Sequence, residues 1–336
     1  MPIPFIVGGI AIAAGLTGAA AGVNGAMKIS EAKEQIEKAE KRYNKAKSAF
    51  DDAESATQES LANFGENKAT VGKSFEQFSN VFEKIRNRPQ FKEYNSDLVD
   101  MPKYSLADIK KVQITSIEIL GTAAAGAGAG AFAGFAAYGG VMALGTASTG
   151  TAITALSGVA ATNATLAALG GGSLAAGGGG MALGSTILAG AVAGPVIAVG
   201  GLLANAKGND SLEKARQVED EVEGALTQIN KGNNVLKKLN SAVDKMSDAL
   251  ERLYVVYAKY LTNLTAIVNE KQDYQTFSKH EKDILNTTIL LVKTLNNIIV
   301  TELVKPAEEG EFPLVRVVAV NKAYDNAEIV LEPLED

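Results

Sequence analysis

Between residues 119 and 206 the chain runs for 88 residues without an Asp, Glu, Lys, Arg or His. A membrane span takes about 20 apolar residues, so this stretch is long enough for two to four crossings. A buried helix of a soluble domain rarely goes so far uncharged, because one face normally meets water. Twenty-two of the 34 glycines fall inside it. Gly126, Gly130 and Gly134 recur every four residues, as do Gly180 and Gly184, and Gly190 and Gly194. Positions i and i+4 share a helix face. A smooth stripe of that kind lets two backbones approach closely, which is how small residues pack helices in lipid. Glycine costs about 1 kcal/mol relative to Ala in a water-exposed helix. In lipid the backbone must bond to itself, so helix is forced. The stretch is therefore expected to form close-packing, membrane-insertable helices. A soluble Gly/Ala core is the plainer alternative, and a disordered tract would carry more polar residues.

Glycine clusters at 170–172 and 177–180 divide the stretch into segments of about 119–146, 151–169 and 181–206, the last interrupted by Pro195. Lys110 and Lys111 flank one end and Lys207 the other. If both ends face one side, the crossings are even in number, so a hairpin or two is the simplest arrangement.

Two charged arms flank the stretch. Ile29, Ala32, Ile36, Ala39, Tyr43, Ala46, Phe50 and Ala53 alternate three- and four-residue spacing, the seam of a coiled coil. The pattern slips near Thr57 and resumes through Val71, Phe75, Phe78, Phe82 and Ile85. Gly65 and Gly72 flank the slip and Ser74 with Gln77 matches a capping box, so a kink or turn is expected at 65–73. Pro89 ends the arm. After a loop at 89–104, Ser105 and Asp108 cap a helix from Leu106 that passes Ile114, Ile117 and Leu120 into the apolar stretch. The second arm opens with Asn209, Asp210 and Ser211 as N-caps. Its seam is longer: Ala215, Val218, Val222, Ala225, Ile229, Gly232, Leu236, Leu239, Val243, Met246, Leu250, Leu253, Tyr257, Tyr260, Leu264 and Ile267. Gly232 with its two asparagines suggests a local bend. Arms so matched are expected to pack on each other.

Residues 2–27 are also uncharged and long enough to span. They lack the basic start of a secretory signal, so a retained membrane-active or buried helix is expected. A last helix at about 279–304 ends at Pro306. Residues 313–320 and 327–331 then read as two strands around a turn at 321–326. The fold class is mainly α: an elongated helical bundle of coiled-coil arms, a Gly/Ala-rich apolar helical hairpin insert and a short C-terminal β-hairpin. Its parts are 1–28, 29–118, 119–206, 207–304 and 305–336.

The catalytic classes find no footing. There is no Cys and a single His, His280, in a polar run that reads as a solvated helix start. Zinc sites and Ser-His-Asp chemistry need more. Gly72-Lys73-Ser74 resembles a phosphate loop, but the first glycine of that motif is replaced by Asn67 and no strand precedes it. The glycine cluster at 170–180 lacks the strand and the acidic residue of a dinucleotide loop. Asp51-Asp52 and Glu308-Glu309 are solvated pairs, the Asn-x-Ser/Thr sequences at Asn163, Asn263 and Asn286 are chance occurrences, and Tyr254, Tyr257 and Tyr260 are seam residues. No enzyme activity, cofactor or metal is expected, and a net charge of −6 argues against nucleic acid.

The two seam-bearing arms around an uncharged insert resemble the α-helical pore-forming toxins of the cytolysin A and haemolysin BL kind, over roughly residues 29–304. The opening Met-Pro-Ile-Pro-Phe-Ile-Val-Gly-Gly, the charged coil and the Gly/Ala core also look like a group of uncharacterised bacterial glycine-zipper coiled-coil proteins. The first resemblance implies a non-enzymatic protein whose insert is sheltered when soluble and inserted when active, pore-forming or membrane-disrupting. A constitutive membrane scaffold recruiting a partner such as a dynamin-like membrane-remodelling GTPase is the alternative. The expected partners are a lipid bilayer and a second copy or helical protein, on the cytoplasmic or inner-membrane face.

Overall fold

The computed structural model describes residues 23–94, 99–122, 128–144, 208–305 and 312–334. Gly126, Gly180, Gly184, Gly190, Gly194, Pro195 and nearly all of the N-terminal apolar stretch lie outside these residues. The described chain is mainly helical. Its elements are α1 (Val23–Lys84), α2 (Leu106–Thr122), α3 (Gly128–Leu144), α4 (Gly208–Glu270), α5 (Lys279–Val300), β1 (Val304–Lys305), β2 (Leu314–Val315) and α6 (Val317–Leu331). The chain forms two compact units, and α1 and α4 contribute to both.

The first unit takes 23–55 of α1 and 208–236 of α4. Ala32, Ile36 and Ala39 pack against Ala215, Val218 and Val222, with Tyr43, Leu212 and Leu226 beside them. The alanines at alternate seam positions let the backbones close up. Arg42 bridges Glu219 and Glu223 across the pair at 3.4 and 2.8 Å. Later in both helices, Phe50 faces Gly232: a Cβ there would lie 2.6 Å from the Phe50 ring and 2.9 Å from Phe312. Later residues of α1 meet later residues of α4, so the two helices run parallel.

The second unit holds 56–84 of α1, 237–270 of α4 and the described parts of α2, α3, α5, α6 and the sheet. Here too the arms are parallel. Phe75 meets Tyr257 edge-on at 6.3 Å, and beyond them Arg86 forms a parallel bridge with Asp273. The bridge consists of Arg86 N–H donating to Gln272 O at 2.6 Å and Tyr274 N–H donating to Arg86 O at 3.0 Å. Phe78, Phe82 and Phe91 form a ring cluster under the turn that follows α1. The expected cap of α2 is present: Ser105 N–H donates to Asp108 Oδ2 and Asp108 N–H to Ser105 Oγ. A second box, Ser278 with Glu281, starts α5, and His280 is exposed beside it.

Several expectations are corrected. Residues 65–73 hold no turn: α1 is one helix to Lys84, and Ser74 Oγ donates back to Val71 O from mid-helix instead of capping. The register does not slip either. Thr57, Leu61, Phe64, Lys68 and Val71 continue the three-four spacing, and all five are buried. The seam looked broken only because two of its positions are polar. α4 likewise runs on as one helix through Gly232. Helix continuity there follows from contact, since glycine's cost of about 1 kcal/mol is offset where a neighbour sits in the space of its missing side chain. Asn209, Asp210 and Ser211 lie within the first turn of α4 rather than ahead of it.

At the ends of the seams, Ile29 is 40% exposed, because burial on α1 begins one step later at Ala32. On α1, Ile36 and Phe50 are buried and Tyr43 is half-buried; on α4, Leu236, Leu239, Val243, Met246, Leu250, Leu253 and Tyr257 are buried, but Tyr260 and Ile267 are only half-buried. Leu264 is buried as expected, and Leu261 and Val268 take the places of Tyr260 and Ile267. Two successive four-residue steps shift the stripe, as happens where a straight helix outruns a seven-residue repeat.

An antiparallel strand pair does form in the C-terminal segment, but its strands are β1 and β2, pairing Val304 with Val315 and Lys305 with Leu314. The residues expected as strands beyond Arg316 form α6. Val320, Ala323, Ala327, Val330 and Leu331 recur at helical spacing and are buried, whereas Val318 is 84% exposed. Burial of one helical face overrides the strand preference of the valines.

Candidate functional site

The start of the uncharged stretch has a defined seat. Residues 132–139 of α3 are all buried, including Phe132, Phe135 and Tyr138. A helix that is apolar all round needs neighbours all round. Here they are α1, α2, α5 and β1.

Two glycines make the seat close-fitting. A Cβ on Gly65 of α1 would lie 1.9 Å from the Phe132 carbonyl oxygen, and a Cβ on Gly139 would lie 2.3 Å from the Ile299 carbonyl oxygen. In both cases backbone meets backbone. Gly72 of α1 is packed against Ser116 of α2, 2.1 Å from Oγ to the would-be Cβ. Of the stripe expected on the insert, Gly134 is buried in α3, Gly130 belongs to the first turn of that helix, and Gly126 is outside the described residues. The close packing that can be seen therefore uses Gly65 and Gly72 of the arm and Gly139, none of them in the predicted stripe. The signal was present in the sequence: Gly65, Ala69 and Gly72 lie on one face of α1, between bulky seam residues.

At Tyr138 the backbone of α3 leaves helical geometry, with φ −125° and ψ 26°. Ala137 O beside the break accepts from Leu303 N–H at 2.8 Å, and Leu303 O accepts from Arg316 N–H at 2.8 Å. One residue of the C-terminal segment thus ties α3 to the tail. Glu302 pairs with Arg316 alongside.

The most unusual group is Lys68, fully buried at an α1 seam position. Its Nζ donates to Ala136 O at 3.1 Å and to Thr301 O at 3.3 Å, and lies 4.6 Å from the centre of the Phe64 ring. Thr301 caps the C-terminus of α5 and Ala136 precedes the break in α3. A cation is favoured at helix C-termini, where carbonyls accumulate negative charge. Burial opposes this and lowers the Lys68 pKa to about 7. No carboxylate pairs with Lys68 among the described residues. Lys293 of α5 is a milder case: its Nζ donates to Tyr94 O over the Phe91 ring, and burial lowers its pKa to about 8.

α5 itself is, among the described residues, the one helix long and apolar enough to cross a membrane, and 67% of its apolar window is buried. It carries the buried polar residues Lys293, Thr294, Asn296 and Asn297. Asn297 Oδ1 accepts from Tyr104 OH at 2.9 Å. That is the character of a core helix held by neighbours. Among the described residues no three His, Cys, Asp or Glu side chains are grouped to hold a metal. Comparison with protein families, curated proteins and solved structures finds no match to this chain.

Proposed function

We propose that the protein is a non-enzymatic, membrane-inserting helical protein whose parallel arms shelter part of an uncharged insert until it enters a bilayer and packs there through its glycines. The observation that carries this reading is α3. It is the first described helix lying wholly within the 88-residue uncharged stretch, and it is packed in a core of neighbouring helices through close backbone contacts and a broken turn instead of a continuous hydrophobic seam. A permanently embedded segment has no use for such a seat in the water-facing arms. The partner is lipid first, and a second copy of the chain once the apolar helices are exposed.

The test is release of a trapped dye from phosphatidylcholine–phosphatidylglycerol vesicles by the purified full-length chain, with fractionation before and after mixing. The expected result is a soluble protein that becomes membrane-bound and releases dye. Replacing Gly126, Gly130 and Gly134 together by Leu, in protein shown by circular dichroism to remain helical, should abolish release. Residence in membranes from the outset, without leakage, would favour the scaffold reading, and failure to bind vesicles would leave a soluble helical bundle.

A further inference from the structure

We propose that Lys68 is a proton-operated latch: uncharged, it pins α3 at Ala136 to the end of α5 at Thr301, and on taking up a proton it favours release of α3 from its seat. The inference deepens the membrane-insertion reading and rests on it for what release accomplishes. The latch itself concerns only described residues of the second unit.

The hydrogen-bond arithmetic supports it. A neutral amine has two N–H groups, and the Ala136 and Thr301 carbonyls accept both, at 3.1 and 3.3 Å. An ammonium has three donors and no acceptor capacity. For the third, the described surroundings provide only the face of Phe64. Next to the two acceptor carbonyls and the segment bonded to them, the titratable groups are Tyr138 of α3, Glu302 just past α5 and Arg316 next to β2, while Lys293 of α5 is engaged with Tyr94 O. Glu302 acts on Tyr138 and pairs with Arg316, and none of the three bonds to Lys68. A proton on Lys68 thus places in the core a charge that the two carbonyls and the Phe64 face offset only in part and that no carboxylate among the described residues neutralises, and α3 is already broken at Tyr138, two residues beyond the Ala136 acceptor.

The sign follows from linkage. With α3 released and Lys68 in water, the amine regains its ordinary pKa of 10.5, whereas in the seat it is about 7. Between these values the released form holds more protons, so the seated form loses stability as pH falls from 10.5 to about 7 and levels off below. Between about pH 9 and about pH 6 the opening equilibrium should rise roughly tenfold to a hundredfold.

Hydrogen exchange on the full-length chain reads this opening directly, from peptides covering 128–144 and after correction for intrinsic rates. In the natural protein, opening should increase by that factor from about pH 9 to about pH 6, and in Lys68→Met it should be flat. If opening in the natural protein is flat over that range, the latch is wrong whether or not the variant folds. If Lys68→Met keeps the natural pH dependence, another group is responsible and the latch is equally wrong. Parallel dye release from phosphatidylcholine–phosphatidylglycerol vesicles separates the two claims. pH-dependent opening abolished by Lys68→Met, without leakage at any pH, upholds the latch and sinks the membrane reading. Leakage without pH-dependent opening of 128–144 does the reverse.

Discussion

Three glycines show how a single missing methyl group is used. At Gly65 and Gly139 an added Cβ would run into backbone carbonyls, of Phe132 and Ile299, which cannot move without moving α3 or α5. Gly65→Ala and Gly139→Ala should each lose about 1–3 kcal/mol of stability in urea unfolding. At Gly72 the obstacle is the Ser116 hydroxyl, which can rotate away. Gly72→Ala should cost well under half as much, since removing glycine from a helix returns about 1 kcal/mol. Lys68 belongs to the same scale. Its burial lowers stability by a few kcal/mol at pH 7 and below, an effect that fades as pH rises to 10.5. Lys68→Met should therefore raise the midpoint of unfolding at neutral pH, and the gap from the natural protein should close toward pH 10.

At the scale of elements, the sequence is legible wherever a face is repeated often enough. The seams of α1 and α4 repeat many times, so most of their positions were readable, apart from the polar steps at Thr57 and Lys68 and the ends at Ile29, Tyr260 and Ile267. So was the Ser105–Asp108 cap, because its two side chains satisfy each other within four residues. The failures share a cause. Gly65, Gly72 and Gly232 act through partners far away in sequence, and alone they look like helix breakers. Lys68 looks like a gap in a seam because a lysine is ordinarily solvated, and only the carbonyls of Ala136 and Thr301 make its burial tolerable. The valines of α6 favour a strand locally, but the surface offered by α5 wants a helical face. That difference can be measured. On a strand, residues 318 and 320 would share a face, whereas on the helix they do not. Val318→Asp should change stability by less than about 0.5 kcal/mol, while Val320→Asp should lose about 3 kcal/mol or more. Chemical denaturation of both variants decides it. The small face of Gly65, Ala69 and Gly72 marks where a helix can dock on α1, but nothing in a run of Ala, Gly and Phe names the carbonyl that will meet a lysine 68 residues earlier.

For the whole molecule the deciding feature is the direction of the arms. A chain that turned back after α1 would pair its arms antiparallel, and Arg42 would not meet Glu219 and Glu223 while Ser74 meets Tyr257. With no natural cysteine, the pair Arg42→Cys and Glu219→Cys can be joined by a short bis-maleimide. Crosslinking should be rapid and within one chain, and Arg42→Cys with Lys231→Cys, about two turns beyond Glu223 along α4 in the same unit, should give little. Equal yields for both pairs would contradict the parallel order. The ion pairs themselves contribute little, about 0–1 kcal/mol each at the surface. Order comes from the interlocked Ala and Ile side chains.

Parallel arms also decide where the uncharged segments are fastened. In the first unit α1 and α4 begin side by side, so the chain enters both helices at neighbouring points, α4 through Lys207 from the end of the uncharged stretch. Two segments joined so closely meet at an effective concentration in the millimolar range, far above that of separate molecules. Any pairing between the N-terminal stretch and the end of the long insert is then first order in protein. The first step of assembly would not depend on how many copies have gathered, and dilution would slow only the steps after it.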